Sequence, residues 1–461
     1  MITISNVITI DNPSPELLKW CQQNLKLKNP DYDKKLRMHF YLGKTPQYLY
    51  LYETNGDKLI LPYGVLRNIL PLVNADELCA NFMLPEKVDY QCEVPLYDYQ
   101  QKAVEEVYWK QYGILQSAAG SGKTQMGIAL IAKLGKRALW LTHTIDLLKQ
   151  SKERARQYMG EALLGTITEG KVNIGRGITF ATVQTMCNLD LAQYKHYWDV
   201  IIVDECHRVA GTPTAVSQFS KVLNSLAARH KYGLSATVHR SDGLIQATFA
   251  LLGDVVYTVP TEAVADKIMK VGINPVPTGV GLSRACLNTD GTLNYSKLIG
   301  YLAESEERNR LIVECITEER DKPALILSDR LGHLETLMSM LPADMREDAV
   351  MVSGKMTTKK GKAEREQAIA NMRTGEKRYL FATYSLAKEG LDVPRLERLY
   401  MATPQKDYAV ITQAIGRIAR TSKGKADPVV YDFVDDIQYL VKAYKKRCTT
   451  YRKNGCYFVE R

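Results

Sequence analysis

The chain has 461 residues, too many for one compact core, so two or three domains are expected. Its 45% hydrophobic and 24% charged residues fit a soluble globular protein, and no run reaches 18 apolar residues, which excludes a membrane-spanning helix. A formal charge of +10 favours an anionic partner such as nucleic acid, with simple solubility as the bland alternative. From Lys442 to Arg461 there are seven basic residues and one acidic, so this short tail holds +6 of the +10. Nine dispersed cysteines include no Cys-x-x-Cys pair and no histidines at zinc spacing. Reduced thiols and the absence of a basic, apolar leader in MITISNVITI imply a cytoplasmic protein.

In chain order, residues 1–90 come first. MHFYLGKTPQYLYLYETNGDKLILP alternates apolar and polar residues on either side of Asn55-Gly56, the signal of a hairpin in a small α+β domain. Gly43-Lys44-Thr45 lacks preceding glycines and is followed by proline, so it is a decoy as a phosphate site. From residue 91 to 262 short apolar runs alternate with helical stretches: YGILQ, RALWLTH, GITFAT, DVIIVDE and KYGLSAT. Fully apolar strands between helices predict a parallel sheet covered on both faces. A second such series fills 301–440, with PALILS, DAVMVSG, RYLFATY, RLYMATP and PVVYDFV. Residues 263–300, with Gly272, Pro275, Pro277 and Gly279, read as a linker. The fold class is therefore α/β, with two parallel-sheet domains in tandem behind a small N-terminal domain. Residues 441–461 are a basic, aromatic tail, suited either to phosphate and base contact or to packing its tyrosines on the second domain.

The chemistry begins at Ser117-Ala118-Ala119-Gly120-Ser121-Gly122-Lys123-Thr124, between the strand YGILQ and the helix QMGIALIAKLG. Strand, glycine loop and helix are the context that a phosphate loop requires. Glycines turn backbone N–H groups toward phosphate oxygens, and the helix N-terminus adds positive potential. Lys123 is placed to meet the β and γ phosphates of ATP, and the Thr124 hydroxyl to hold Mg2+. Ser117 stands where a glycine is usual, as a tolerated small residue. Eighty-one residues after Lys123, Asp204 and Glu205 end the apolar strand of DVIIVDECHR. Asp204 is expected to hold Mg2+ through water, and Glu205 to orient and deprotonate the attacking water.

With these residues in order, residues 96–425 resemble the superfamily 2 helicases and translocases, DExH branch, whose motor is a pair of RecA-like domains. The resemblance implies further roles. Gln100 matches the glutamine that reads adenine. LWLTHTIDLLKQ, with Thr142 and His143, and ITFATVQTM, with Thr182 and Gln184, match segments on the nucleic-acid backbone. Ser235 and Thr237 of GLSAT, with His207, match the elements coupling hydrolysis to motion. Gly390 and Asp392 of FATYSLAKEGLDVP match the second domain's nucleotide contacts, and Thr383 opens that segment near the nucleic acid. Gln413, Arg417 and Arg420 of QAIGRIAR match the arginine motif. Three apart, the two arginines are expected on one helix face, directed at the γ-phosphate.

Arg240 and Asp242-Gly243 after GLSAT resemble the group of XPB-type helicases, restriction-enzyme translocases and UvsW-like phage enzymes of recombination and fork repair. That group implies branched or duplex DNA as partner, and the location expected is the host cytoplasm if the source is a phage; a monomer is the expected state, and no sequence feature specifies it. The competing expectations are an RNA-directed ATPase and the motor subunit of a restriction-type system. Residues 1–90 are expected to contact DNA, so that their deletion weakens binding to branched DNA and spares basal ATP hydrolysis.

Overall fold

The computed structural model describes residues 1–83, 86–118, 120–238, 243–260, 262–264, 268–354, 356, 358–388, 391 and 393–459, with the side chains of all but 359, 387 and 388. The chain divides into two units: Met1–Ala118 with Gly122–Pro260, and a second built from Thr261–Arg461. Ala119, Arg240, Asp242, Gly390 and Asp392 lie outside the described residues. No helix among the described residues is long and apolar enough to cross a membrane.

VIIVD at Val200–Asp204 is buried at every position, as a strand covered on both faces must be. It lies near the middle of an eight-stranded sheet in the order Lys171–Asn173, Leu164–Thr168, Ile178–Thr182, Ala138–Thr142, Val200–Asp204, His230–Ser235, Tyr112–Gln116, Val255–Thr258. All neighbours are parallel except the first pair. The register aligns Thr182 with Thr142, Asp204 with Leu234, and Ser235 with Gln116. The loops that follow these strands therefore leave from one carboxyl edge, where ligands of such sheets bind.

The first ninety residues hold a five-stranded sheet in the order Glu53–Asn55, Lys58–Pro62, Val7–Asp11, Ile2–Ile4, Leu78–Ala80. The expected hairpin turns at Gly56, whose φ of +58° suits glycine, with Asn55 opposite Lys58. Tyr48–Tyr50 does not extend that hairpin. It pairs with Lys26–Lys28 in a separate two-stranded ribbon.

This layer shares one apolar core with the eight-stranded unit. Ile8, Leu59, Leu61 and Ile69 cluster with Val216, Ala247 and Ala250. Gly64 has no side chain where a Cβ would strike the backbone of Ala250, Leu252 and Gly253. The buried Lys231 ammonium donates to the Asn6 carbonyl at 3.2 Å and the Leu223 carbonyl at 2.7 Å, and burial lowers its pKa to about 7. Removing residues 1–90 would strip these apolar contacts and the Asn6 acceptor from the motor unit.

The second unit is a seven-stranded sheet of parallel neighbours: Ala349–Val352, Tyr379–Thr383, Ala324–Ser328, Arg398–Met401, Val429–Asp436, Gly272–Gly281, Tyr457–Phe458. Two expectations are corrected here. The linker of 263–300 instead supplies the strand Gly272–Gly281 and the helix Tyr295–Glu304. The Val271 and Ile273 carbonyls face the short edge strand, accepting from Tyr457 and Val459. Pro275 and Pro277 share their parity but lie beyond that strand's pairing, which stops at Ile273, so their missing N–H groups leave no ladder bond unmade. The tail of 441–461 is no separate segment. The helix Gln438–Lys453 crosses its boundary, burying Arg447 and Tyr451 while Lys445 and Lys446 stay in water.

Candidate functional site

Gly122 (φ +81°) caps the helix Lys123–Leu134 in a left-handed conformation that admits no Cβ, because the Gln100 amide fills that space. Gly120 is also left-handed, at φ +85°. The Ser117 N–H donates to the Ser235 carbonyl at 3.0 Å, tying the loop to the neighbouring strand. Lys123 Nζ donates to the carbonyls of Ser117 and Ala118, each at 3.2 Å. Ser121 is buried, and Thr124 is half-buried in the first helical turn. Gln100, expected to read adenine, lies buried with Oε1 accepting the Tyr97 N–H at 3.0 Å. The structure thus uses that oxygen to cap its own helix beneath the loop.

Asp204 sits two strands away from the loop's strand, one carboxylate oxygen accepting the Ser151 hydroxyl and the other the Glu205 N–H, both at 3.0 Å. Burial and then the adjacent Glu205 raise its pKa, while Lys123 pulls it down. Glu205 has φ +48°, a left-handed conformation rare for a side chain of its size. Glu205 Oε2 lies 3.3 Å from His207 Nδ1, which is 3.1 Å from Ser235 Oγ. Ser235 Oγ donates to the Thr237 carbonyl at 2.6 Å, so its proton is already used. His207 Nδ1 must then carry the proton and donate to Ser235. A continuous chain of contacts thereby joins Glu205 to the backbone of Thr237.

Asp204 and Thr124 fit Mg2+ held jointly with nucleotide phosphates: one buried carboxylate and one hydroxyl at a loop carrying a lysine. Among the described residues no cluster of three or more His, Cys, Asp or Glu could hold a metal unaided. Ser151 was not foreseen, although Leu148, Ser151 and Ala155 form the buried stripe of their helix and a serine there signals an inward polar partner.

The residues expected on nucleic acid separate into two kinds. Thr142 and Thr182 are buried and bond inside the protein, Thr142 Oγ1 to the Thr144 carbonyl at 3.0 Å and Thr182 Oγ1 to Thr185 Oγ1 at 2.9 Å. These bonds fix the strand ends. His143 and Gln184 are half-buried neighbours, with Gln184 Nε2 donating to the His143 carbonyl at 3.0 Å. Burial, then Arg208 and His207, lower the His143 pKa.

In the second unit, Thr383 ends its strand with its hydroxyl 2.9 Å from that of Ser385. Gln413 and Arg417 lie in the helix Tyr408–Ile418, Gln413 buried and Arg417 half-buried. Arg420 does not share that helix, contrary to expectation. The helix closes at Ala419, whose carbonyl accepts the Met269 N–H, and Arg420 forms a bridge to Ile268. Lys425, also unforeseen, donates to the carbonyls of Pro394 at 2.9 Å and of Ile418 and Arg420 at 2.6 Å. Its ammonium holds the chain turn that carries Arg420.

Residues 93–240 match the family model described as type III restriction enzyme, res subunit, and residues 307–422 match that of the helicase conserved C-terminal domain. The chain is 26% identical to L396 of Acanthamoeba polyphaga mimivirus, provisionally named an ATP-dependent RNA helicase, over 74% of this chain and 64% of the relative. It is 24% identical to the DNA 3'-5' helicase XPB of Mycobacterium tuberculosis, over 76% of this chain and 63% of the relative. It thus spans less than two thirds of either relative. The structure of S. cerevisiae Dbp5 bound to RNA and ADP BeF3 aligns with a TM-score of 0.54 at 17% identity, covering 79% of this chain and 94% of that one. Two parallel-sheet units carrying a phosphate loop, the Asp204-Glu205 pair and an arginine motif have the fold of two RecA-like domains. With both domain models matched, the chain belongs to the superfamily 2 helicases.

Proposed function

We propose that this chain is a DExH helicase or translocase that hydrolyses ATP with Mg2+ to move on branched or duplex DNA, in recombination, repair or fork processing. The observation that carries the reading is the chain of contacts from half-buried Glu205 through buried His207 and Ser235 to Thr237, beside Asp204 and the Lys123 loop. Lys123 neutralises the β and γ phosphates, while Mg2+, when bound at Asp204 and Thr124, screens the same oxygens. Glu205 orients the attacking water and takes its proton. Arg417 and Arg420 stabilise the charge that develops on the transferring phosphoryl group, and Gln413 supports them. Loss of the γ-phosphate alters what Glu205 holds, and His207 and Ser235 pass that change to the segment after the strand His230–Ser235. Ala119, Gly390 and Asp392 complete the nucleotide contacts in this reading, and Arg240 and Thr383 those to DNA.

The name of the XPB relative supports DNA. A second reading, an RNA-directed helicase, is favoured by the name of the mimivirus relative. The test is ATP hydrolysis by the full chain with single-stranded, duplex, forked and four-way DNA and with RNA, with Lys123→Ala as control. Forked or four-way DNA should stimulate most. Stronger stimulation by RNA would overturn the DNA reading, and hydrolysis surviving in Lys123→Ala would remove the whole assignment.

A further inference from the structure

Charge in the first ninety residues is segregated. Between Lys26 and Tyr50 stand six basic residues and two acidic, whereas the remaining residues of 1–90 carry four basic and eight acidic. The basic segment comprises the ribbon of Lys26–Lys28 and Tyr48–Tyr50, the helix Pro30–Arg37 and the loop between them. Pairing of Lys26 with Tyr50 and Lys28 with Tyr48 puts these four side chains on one face. Lys26 Nζ lies 4.3 Å from the Tyr48 ring centre and 5.6 Å from that of Tyr50. The loop adds Phe40 and Tyr41, 60% and 91% exposed.

The segment is built rather than loose. Buried Asn29 donates through Nδ2 to the Pro46 carbonyl at 2.7 Å and through its N–H to the Gln47 carbonyl at 3.0 Å. Lys35 Nζ donates to Thr45 Oγ1 at 2.7 Å. The ribbon's other face is apolar. Leu27 and Leu49 pack on Ala210, Leu244 and Ile245, which follow His207 and Thr237 in the chain. The outer face thus stands on elements adjoining the Glu205–Thr237 relay.

We propose that this outer face binds unpaired nucleotides of a nucleic-acid strand, with Phe40, Tyr41 and Tyr50 stacking on bases and Lys26 and Lys28 meeting phosphates. Exposed rings interleaved with lysines suit a strand whose bases are free, because a duplex keeps its base faces stacked on one another. Leu27 and Leu49 carry the load of that strand to the relay. The proposal rests on the nucleic-acid reading above and names the site that senses the unpaired part of the substrate.

The test uses the full chain and fluorescent oligodeoxynucleotides, one single-stranded and one blunt duplex of equal length. Phe40→Ala/Tyr41→Ala should weaken binding of the single strand by about tenfold or more and change duplex binding far less. Lys26→Ala/Lys28→Ala should flatten the log–log salt dependence of single-strand binding by about 0.7 per lysine. Phe40→Trp/Tyr41→Trp should keep wild-type affinity, and the urea unfolding midpoint should be equal in all variants. An aromatic variant that binds single strands like the wild type, or loses duplex binding equally, overturns the stacking platform. A wild-type chain that no nucleic acid stimulates overturns the functional reading instead.

Discussion

Two buried carboxylates of the second unit and one of the first keep different company. In the second, Asp432 receives Arg447 Nε at 2.8 Å, Arg447 Nη2 at 2.9 Å and the Tyr451 hydroxyl at 2.7 Å. Asp435 receives Arg308 Nε at 2.8 Å and the Thr278 hydroxyl at 2.7 Å. In the first unit Asp204 is equally enclosed, yet its partners among the described residues are a serine hydroxyl and one backbone N–H. A guanidinium on both oxygens neutralises a buried carboxylate and locks the packing around it. A hydroxyl and an amide leave most of the charge for a cation that comes and goes with nucleotide. The saturated acids build the second unit, and the unsaturated one is available for chemistry.

Breaking each kind should separate function from folding. Asp204→Asn is expected to lower the turnover of ATP by at least about a hundredfold while the urea midpoint stays level or rises. A large stability loss there would erase the distinction. Asp432→Asn should do the opposite, leaving Arg447 buried against a neutral group and costing about 3–5 kcal/mol in urea unfolding. Ser235→Ala removes the acceptor of the His207 proton. Stimulation by nucleic acid should fall by about tenfold, near the worth of one good hydrogen bond, with basal hydrolysis little changed. Equal loss of both rates would mean that the serine serves the loop and not the relay.

The last prediction tests a buried cation. Lys231 meets carbonyls and no carboxylate, and burial lowers its pKa from 10.5 to about 7. The folded chain then releases this proton before the unfolded chain does. The penalty of the buried charge is complete below about pH 7, and this group's contribution to stability rises as pH climbs from there toward 10.5. The urea midpoint of the wild type should therefore gain on that of Lys231→Met between pH 7 and 9. A constant difference would show that Lys231 keeps its proton.

Much of this arrangement was legible in the sequence, because its signals are local. Gly122-Lys123-Thr124 between an apolar run and a helix, and Asp204-Glu205 at the end of another, need only the neighbouring residues to be understood. The strand Gly272–Gly281 escaped because Pro275 and Pro277 argue for a loop unless the neighbour on each edge is known. Arg420 was misplaced because spacing alone continues a helix, whereas Met269 and Ile268, about 150 residues earlier, draw the chain out of it. The separateness of residues 1–90 was misjudged for the same reason: a composition shift marks where a layer begins and says nothing of what completes its core.

That shared core has a consequence for how the chain is made. Ile8 and Leu61 leave the ribosome long before Val216, Ala247 and Ala250, the residues that close their cluster. At roughly 5–20 residues per second, the first layer waits on the order of ten seconds or more with an apolar face uncovered. The strand Gly272–Gly281 faces a similar delay before Val429–Asp436 can pair with it. In both units an early segment is held open until a late one arrives, so synthesis is the stage at which this chain is most exposed to aggregation or to a holding chaperone.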